Sequence, residues 1–219
     1  MADSLDNLVW FGHSSFLLTT RNNQNFYFVD PFDLKSTPKN KADIVFITHA
    51  HYDHWSTTDL RTIITDKTLI VAVNGCDTRS FPKNRFIITE PNKEMKLSGV
   101  DVKTVPAYNV KHERLSYHPK QNKWVGYVFT IDGRKIYHAG DTDFIPEMRN
   151  LTDIDVALLP IGGTYVMDVK EAIDAANAIQ AKTTIPIHYK RLLGSKAKEA
   201  EDKFVAGVKG QVLLLDEFK

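Results

Sequence analysis

The sequence predicts one α/β domain, and three observations support this fold class. The chain has 219 residues, of which 42% are hydrophobic, enough to bury one full core. Short apolar runs typical of strands are mixed along the chain with segments that carry helix-capping patterns. No Pro-, Gly- or Ser-rich linker separates the two halves, so we expect a single domain over residues 1–219.

The first half of the sequence consists mainly of predicted strands. They are expected at 8–20, 26–30, 43–48, 68–73, 85–89 and 100–108. The polar segment 21–25 predicts a turn between the first two strands. The short apolar run bounded by polar residues at 43–48 is typical of a strand buried on both faces. Ser56 and Asp59 have the spacing of a capping box, which predicts a helix that ends near Thr65.

The second half of the sequence mixes strands with helices. Strands are expected at 124–131, 135–138, 156–161, 184–188 and 212–215. The Asp132-Gly133 pair predicts a tight hairpin between the first two of these strands. Asp168, followed three residues later by Glu171, predicts the start of an amphipathic helix. A charged surface helix is expected at 195–208.

Composition narrows the class of function. The 28 Lys and Arg residues nearly balance 27 Asp and Glu residues, and the net charge of +1 gives no reason to expect a nucleic-acid partner. The single cysteine, Cys76, excludes an internal disulfide and favours a reducing compartment. No apolar run approaches the ~18 residues of a membrane helix, and the N-terminus is unlike a signal peptide. We therefore expect a cytoplasmic protein without a membrane partner.

The most informative segment reads HAHYDH at residues 49–54 and follows an apolar run that predicts a buried strand. Imidazole and carboxylate groups are ligands that zinc prefers. Alternate residues of an extended segment point the same way, so His49 and His51 are placed to bind one ion. Asp53 and His54 follow after the chain has turned, so they are placed to bind a second ion. The segment therefore predicts a metal site.

Two further candidate ligands lie at strand ends, since Asp141 follows one predicted strand and His188 ends another. At the end of a strand, a rigid sheet can direct side chains into a binding site. Each residue also has a structural alternative. The alternative for Asp141 is the N-cap of a helix at 144–148, and the alternative for His188 is a structural, hydrogen-bonded histidine.

Five segments, in this order along the chain, carry a resemblance to a known family. They are WFGHSSF at 10–16, DPF at 30–32, the string at 49–54, HAGDTD at 138–143 and PIHY at 186–189. Together they resemble the metallo-β-lactamase superfamily, and within it the small metal-dependent hydrolases that include the ascorbate-6-phosphate lactonases. The resemblance implies a four-layer αββα sandwich with one or two metal ions. It also implies that Asp141 bridges two metals and that His188 binds the second metal.

The sequence departs from the superfamily at one position. Relatives carry a histidine ligand after the strand predicted at 100–107, whereas this chain carries Asn109, and asparagine is a poor zinc ligand. His118, in the following loop, is one candidate replacement. His112 is nearer, but it lies in a charged stretch typical of solvent-exposed chain. The third alternative is that water takes this place and leaves a labile or mononuclear site.

Three more residues are predicted to surround the metal. Metal-bound imidazoles usually donate their second N–H to a carboxylate or carbonyl, and Asp30 is a candidate for this role. His13 is expected to line the cleft, with an ordinary histidine in a strand turn as the alternative. Tyr165 follows the strand predicted at 156–161 and is expected to form part of the substrate wall.

These residues predict a metal-dependent hydrolase with Asp53 and His54 as catalytic residues. Metal-activated water would attack an ester, lactone or phosphodiester bond of a small molecule, and Asp53 would orient the nucleophile or accept its proton. We expect one or two zinc ions, with manganese as the alternative. Cations at 111–123 and at 190–191 favour an anionic substrate if they face the cleft; ordinary surface charge is the other reading.

Two other functions remain open. One is an RNA-processing nuclease, which needs a basic patch or an RNA-binding arm that this nearly neutral chain does not suggest. The other is a non-catalytic metal-binding protein, which would be expected to have a closed site of four ligands. The sequence does not decide the oligomeric state, and an oligomer remains open.

Overall fold

The structure is a computed structural model that describes residues 7–35 and 38–218. The chain divides into two compact units. The first unit is Met1–Thr89 with Asp216–Lys219, and the second unit is Glu90–Leu215. Each unit contains its own β-sheet.

The first unit contains a six-stranded sheet with the strand order β1-β2-β3-β4-β5-β6. Its elements are β1 Leu8–Gly12, β2 Ser15–Thr19, β3 Phe26–Val29, β4 Ile44–Phe46, α1 Thr57–Ile63, β5 Leu69–Val73 and β6 Arg85–Thr89. Strands β1 to β3 pair antiparallel, and β3 to β6 pair parallel. A 3₁₀ turn at Thr78–Ser80 lies between β5 and β6.

The prediction of one strand over 8–20 is wrong. The structure has two strands, β1 and β2, that form a hairpin turning at His13 and Ser14. His13 has a positive φ of 51°, which ends the extended conformation of β1. The apolar pattern continues through the turn because both strands pack into the core, so hydrophobicity alone does not mark the break.

The predicted helix after the histidine string is confirmed as α1. The Ser56 side chain accepts a hydrogen bond from the backbone N–H of Asp59 at 3.3 Å, as the capping pattern predicts. Leu60 and Ile63 are fully buried and belong to the same hydrophobic cluster as Val45 of β4. The helix ends two residues before Thr65.

The second unit contains a seven-stranded sheet with the order β13-β12-β11-β10-β9-β8-β7. Its elements are β7 Glu94–Leu97, β8 Val100–Pro106, β9 Val125–Ile131, β10 Arg134–His138, β11 Val156–Pro160, α2 Val169–Ile179, β12 Thr183–Ile187, α3 Lys190–Leu193, α4 Ala197–Gly207 and β13 Gln211–Val212. Strands β7 to β10 pair antiparallel, and β10 to β13 pair parallel.

The predicted hairpin and the predicted capping box in this unit are both confirmed. Asp132 and Gly133 have positive φ angles of 50° and 79°, as a type I′ turn between β9 and β10 requires. The sequence pattern missed β7, since its four residues carry two exposed charged side chains and too few apolar ones. Strand β13 has only two residues, fewer than predicted. No helix in the described part of the chain is long and apolar enough to cross a membrane.

The capping box of α2 should contribute measurably to stability. The Asp168 carboxylate accepts the Glu171 backbone N–H at 2.9 Å, and the Glu171 carboxylate accepts the Asp168 N–H at 2.9 Å. We expect Asp168→Ala to lower the free energy of unfolding by about 1 kcal/mol, measured by urea denaturation. Asp174→Ala, which removes only an exposed ion pair with Lys170, is the matched control and should cost about 0.3–0.5 kcal/mol.

The contribution of Asp168 should also depend on pH. Burial tends to raise the pKa of Asp168, but the Glu171 N–H and the Lys111 ammonium outweigh burial and hold this pKa below its usual value. A carboxyl group with a depressed pKa stabilises the fold above its unfolded pKa of about 3.9, and the effect is lost as pH falls. Equal stability of the two aspartate variants at pH 7 would contradict the capping role.

Candidate functional site

Asp30 lies at the end of β3 and is completely buried. Its carboxylate accepts three hydrogen bonds. The backbone N–H of Thr48 donates to Oδ1 at 2.8 Å, the Thr48 hydroxyl donates to Oδ2 at 2.7 Å, and His54 Nδ1 lies 2.8 Å from Oδ2. The Asp30 carboxylate therefore contacts the His54 imidazole directly.

These hydrogen bonds determine which nitrogen of each histidine carries its proton. An ionised carboxylate only accepts hydrogen bonds, so His54 Nδ1 must donate to Asp30. The single hydroxyl proton of Thr48 is donated to Asp30, so the same oxygen accepts from His49 Nδ1 at 2.9 Å. In a neutral imidazole the other nitrogen then holds the lone pair. In both His49 and His54, Nε2 is therefore the nitrogen that can bind a metal ion.

The histidine string gathers its ligand atoms in one place within the first unit. The rings of His49 and His54 have centroids 3.9 Å apart, and those of His49 and His51 are 4.8 Å apart. Candidate ligand atoms of His13, Asp53 and His54 all lie within 4.8 Å of one another. The nitrogen and oxygen donors therefore fit a divalent metal such as zinc.

His13 contacts this cluster through Asp53. Its Nε2 lies 3.1 Å from Asp53 Oδ2, and its backbone carbonyl accepts a hydrogen bond from Trp10 Nε1 at 3.1 Å. The His13 side chain is only 6% exposed, whereas the Asp53 side chain is 22% exposed. The Asp53 carboxylate is thus fixed by a buried partner and is still accessible to water.

A second cluster lies in the second unit and surrounds Asp141. Asp141 Oδ2 lies 3.1 Å from His188 Nε2 and 3.4 Å from His118 Nε2. All three side chains are at most 4% exposed. The alternative role of Asp141 as a helix cap has no support, because the helical turn Pro146–Asn150 follows Ile145 and begins without a side-chain cap.

The structure distinguishes the two candidate histidines near Asn109. His118 is 1% exposed and points toward Asp141, whereas His112 is exposed to solvent. Asn109 is also buried and contacts His118 directly, with Asn109 Oδ1 2.8 Å from His118 Nδ1. His138 is completely buried and accepts a hydrogen bond from the Gly140 N–H at 3.2 Å.

Three of the predicted site residues adopt a left-handed backbone conformation. The φ angles of His13, Asp30 and His188 are 51°, 43° and 56°. Such angles are uncommon for residues other than glycine, and the strain they imply is often found at functional sites.

The chain packs closely against His188 at Gly162, since a Cβ atom at this position would collide with the His188 carbonyl.

Four cationic residues of the segment 111–123 lie close to carboxylates. Arg114 is buried, with Nε 3.0 Å from Asp143 Oδ1 and Nη2 2.7 Å from Glu171 Oε2. Lys111 Nζ lies 2.9 Å from Glu171, and this hydrogen bond raises the pKa of the lysine. Similar pairs join Lys120 to Glu147 and Lys123 to Glu90. These four cations therefore serve structural pairs, which weakens the argument from charge for an anionic substrate.

Cys76 does not behave as a nucleophile. Burial raises the pKa of its thiol to about 12. A thiol with so high a pKa is almost entirely protonated near neutral pH, and only the thiolate attacks efficiently. Cys76 is therefore a poor candidate for a nucleophile.

Tyr165 lies next to Asn109. Its backbone carbonyl accepts a hydrogen bond from Asn109 Nδ2 at 3.0 Å. Its ring is 37% exposed and packs edge-on against Tyr117, with centroids 4.8 Å apart. The ring is therefore accessible from solvent.

Sequence reasoning missed two residues that hold the clusters together. Thr48 joins Asp30 to His49, and Asp143 joins Asn109 to Arg114. Thr48 directly precedes the histidine string and Asp143 ends the HAGDTD segment, so both lie beside or within segments that carried the family resemblance. Their partners are distant in sequence, so the hydrogen bonds themselves could not be predicted.

Comparison with known proteins gives matches over nearly the whole chain. The model of a family described as "Beta-lactamase superfamily domain" matches residues 7–188. The UPF0173 metal-dependent hydrolase of Thermoplasma volcanium is 31% identical over 223 residues, covering 95% of this chain and 94% of the relative.

Solved structures confirm the predicted fold class. A candidate metal-dependent hydrolase from Parabacteroides distasonis is 32% identical, with a TM-score of 0.82, and the match covers 97% of this chain and 93% of that one. The metallo-β-lactamase fold protein YhfI from Bacillus subtilis is only 13% identical. It still matches with a TM-score of 0.74 over 95% of each chain, which shows the shared fold.

The Thr48 hydroxyl should be required for tight metal binding. Thr48→Val keeps the size of the side chain but removes the donor to Asp30 and the acceptor for His49. We expect metal affinity, measured by chelator competition, to fall ~10–100-fold, the usual effect of losing a group that orients a ligand. Thr48→Ser should restore most of the affinity. Thr58→Val, at an exposed position of α1, is the control; equal affinities of the Thr48→Val and Thr58→Val proteins would refute this role.

Proposed function

Because the chain belongs to the metallo-β-lactamase superfamily and its relatives are named metal-dependent hydrolases, we propose that it hydrolyses its substrate with a metal ion. The observation that carries this proposal is the Asp30 network. It holds His49 and His54 in the tautomer that leaves the Nε2 lone pair available to a metal ion. The narrower resemblance to the ascorbate-6-phosphate lactonases stays a prediction, since the matched relatives carry a different name.

We propose that both clusters supply metal ligands. The proposed ligands are His49, His51, Asp53, His54, His118, Asp141 and His188. Imidazole and carboxylate donors suit zinc, and we propose one or two zinc ions with manganese as the alternative. None of these residues is exposed, since His51 and Asp53 are half-buried and the others are buried. Such burial supports a site that holds its ligands rigidly.

When bound, the metal would make a water molecule more acidic and polarise the bond to be cleaved. The protein groups have separate tasks around that chemistry. Asp53, held by His13 at 3.1 Å and accessible to solvent, accepts the proton of the attacking water. His54 contacts the Asp30 carboxylate through Nδ1, so the Nε2 lone pair on the other side of the ring points away from Asp30. We assign Asp53 and His54 as the catalytic residues.

The substrate we propose is a small molecule with a carbonyl or phosphoryl centre, such as an ester, a lactone or a phosphodiester. Its anionic character has less support than the bond type. Arg114 and three lysines of the second unit face carboxylates, and Lys190 donates to the Leu215 carbonyl at 3.0 Å. We also propose a cytoplasmic location, which a chain with one cysteine favours.

The experiment that tests the proposed function combines metal analysis with a turnover screen. Metal-free protein would be supplied separately with zinc and manganese, then assayed on generic ester, lactone, thioester and phosphodiester substrates. The proposal predicts bound metal and metal-dependent turnover of at least one class. Tight metal binding without any turnover would favour the non-catalytic alternative, and cleavage of RNA alone would favour the nuclease.

Removal of single proposed ligands should abolish or strongly weaken metal binding. We expect His49→Ala, His51→Ala and Asp141→Ala each to lose more than the ~10–100-fold in affinity that changes around a ligand usually cost. Elemental analysis after dialysis measures the loss. His112→Ala removes an exposed imidazole and is the control. Wild-type metal content in all three ligand variants would end the metallohydrolase assignment.

Asp53→Ala should affect turnover far more than stability. The Asp53 side chain is partly exposed, and the variant loses its contact with His13. We expect a fall in kcat of ~10²–10⁴-fold, typical of a lost proton acceptor, with a nearly unchanged melting temperature. Asp66→Ala, which removes an exposed carboxylate paired with Lys83 at 3.7 Å, is the control. Near-normal kcat in the Asp53→Ala protein would show that the role is wrong.

A further inference from the structure

Asn109 and His118 form a buried pair that closes the loop after β8. Asn109 is 2% exposed and His118 is 1% exposed. The Asn109 backbone N–H donates to the His118 carbonyl at 2.8 Å, and the His118 N–H donates to Asn109 Oδ1 at 3.0 Å. The same Oδ1 atom lies 2.8 Å from His118 Nδ1. A single side-chain oxygen thus contacts both the backbone and the ring of His118.

The orientation of the Asn109 amide follows from its other partners. Asn109 Nδ2 lies 3.0 Å from Asp143 Oδ1 and 3.0 Å from the Tyr165 carbonyl. Both partners are acceptors, so the amide nitrogen must occupy this position and the amide oxygen must face His118. The His118 backbone N–H independently requires an acceptor at that place.

The amide orientation in turn fixes the proton on the ring. Asn109 Oδ1 can only accept, so His118 Nδ1 must carry a proton to make this hydrogen bond. In the neutral ring, Nε2 is then the nitrogen with the lone pair. That atom lies 3.4 Å from Asp141 Oδ2, in the cluster that also contains His188.

We propose that Asn109 is a positioning residue that holds His118 in the Nδ1–H tautomer, so that Nε2 is the atom offered to the metal. The inference rests on the proposed function and deepens it. The resemblance to the superfamily implies a histidine ligand at this point of the chain, and we propose that two residues share its role. Asn109 occupies its place and His118 supplies the imidazole.

Asp143 holds the Asn109 amide in one orientation. Its carboxylate is completely buried, and Oδ2 accepts the backbone N–H groups of Val110 at 2.8 Å and Lys111 at 3.0 Å. Its Oδ1 atom lies 3.0 Å from Arg114 Nε. Since both oxygens are held in this way, Asp143 presents a fixed acceptor to the Asn109 amide. An aspartate at position 109 would instead place a second carboxylate 3.0 Å from Asp143.

The direct test is the tautomer of His118 in metal-free wild-type protein. Two-dimensional ¹H–¹⁵N spectra of histidine-labelled protein at about pH 8.5, two units above the usual imidazole pKa of about 6.5, distinguish the two neutral forms. The proposal predicts that His118 carries its proton on Nδ1. A proton mainly on Nε2 would overturn it. This measurement needs no variant and no bound metal.

Variants then separate the role in positioning from a role in folding alone. We expect Asn109→Ala to mix the two His118 tautomers and to weaken zinc binding ~10–100-fold in chelator competition. Asn109→Asp keeps an acceptor for His118 Nδ1, so the Nδ1–H tautomer should persist. The introduced carboxylate lies close to the Asp143 carboxylate, and their repulsion should lower the melting temperature. Asn150→Ala, at an exposed position, is the control. Wild-type zinc affinity in the folded Asn109→Ala protein would overturn the proposal.

The outcomes for this inference and for the proposed function can be told apart. If the wild-type protein binds neither zinc nor manganese, the proposed function fails, whatever the tautomer of His118. If it binds zinc while metal-free His118 carries its proton on Nε2, the proposed function stands and the role of Asn109 is refuted.

Discussion

The buried carboxylate of Asp30 is the constraint on which the first cluster depends. A charge that is fully removed from water is costly unless hydrogen bonds compensate it. The Thr48 N–H, the Thr48 hydroxyl and His54 Nδ1 provide this compensation. Because Asp30 must keep these donors, the orientation of two imidazoles is fixed by the requirements of the core. Asp30 has a left-handed backbone conformation directly after β3. From this position its carboxylate contacts Thr48 and His54.

The second cluster solves a similar problem with an amide. Asp143 is buried like Asp30, and it is compensated by two backbone N–H groups and Arg114. It also accepts a hydrogen bond from the Asn109 amide nitrogen, which orients the amide oxygen of Asn109 toward His118 Nδ1. In both units a buried carboxylate therefore determines the proton position on an imidazole through a chain of one or two hydrogen bonds. Arg114 belongs to this framework, because its guanidinium pairs with both Asp143 and Glu171.

The sequence predicted most of the fold and the identity of the clustered residues, for different reasons. Strands such as β5 and β6 follow from local apolar runs, and α1 and α2 follow from capping patterns. The break at His13 was missed because both strands of the hairpin are buried. The hydrogen bonds of Thr48 and Asn109 were not predictable, since their partners are brought together by tertiary structure. The pairing of Asn109 with His118 spans nine positions of irregular loop, where periodicity carries no information.

The central claim is that imidazoles held by buried acceptors bind a catalytic metal ion. X-ray absorption spectroscopy of the zinc-loaded protein tests this claim most directly, because imidazole gives a characteristic multiple-scattering pattern. The account predicts nitrogen and oxygen donors at about 2.0–2.2 Å, with at least two imidazoles for each zinc ion. A spectrum with oxygen donors alone and no imidazole scattering would contradict it.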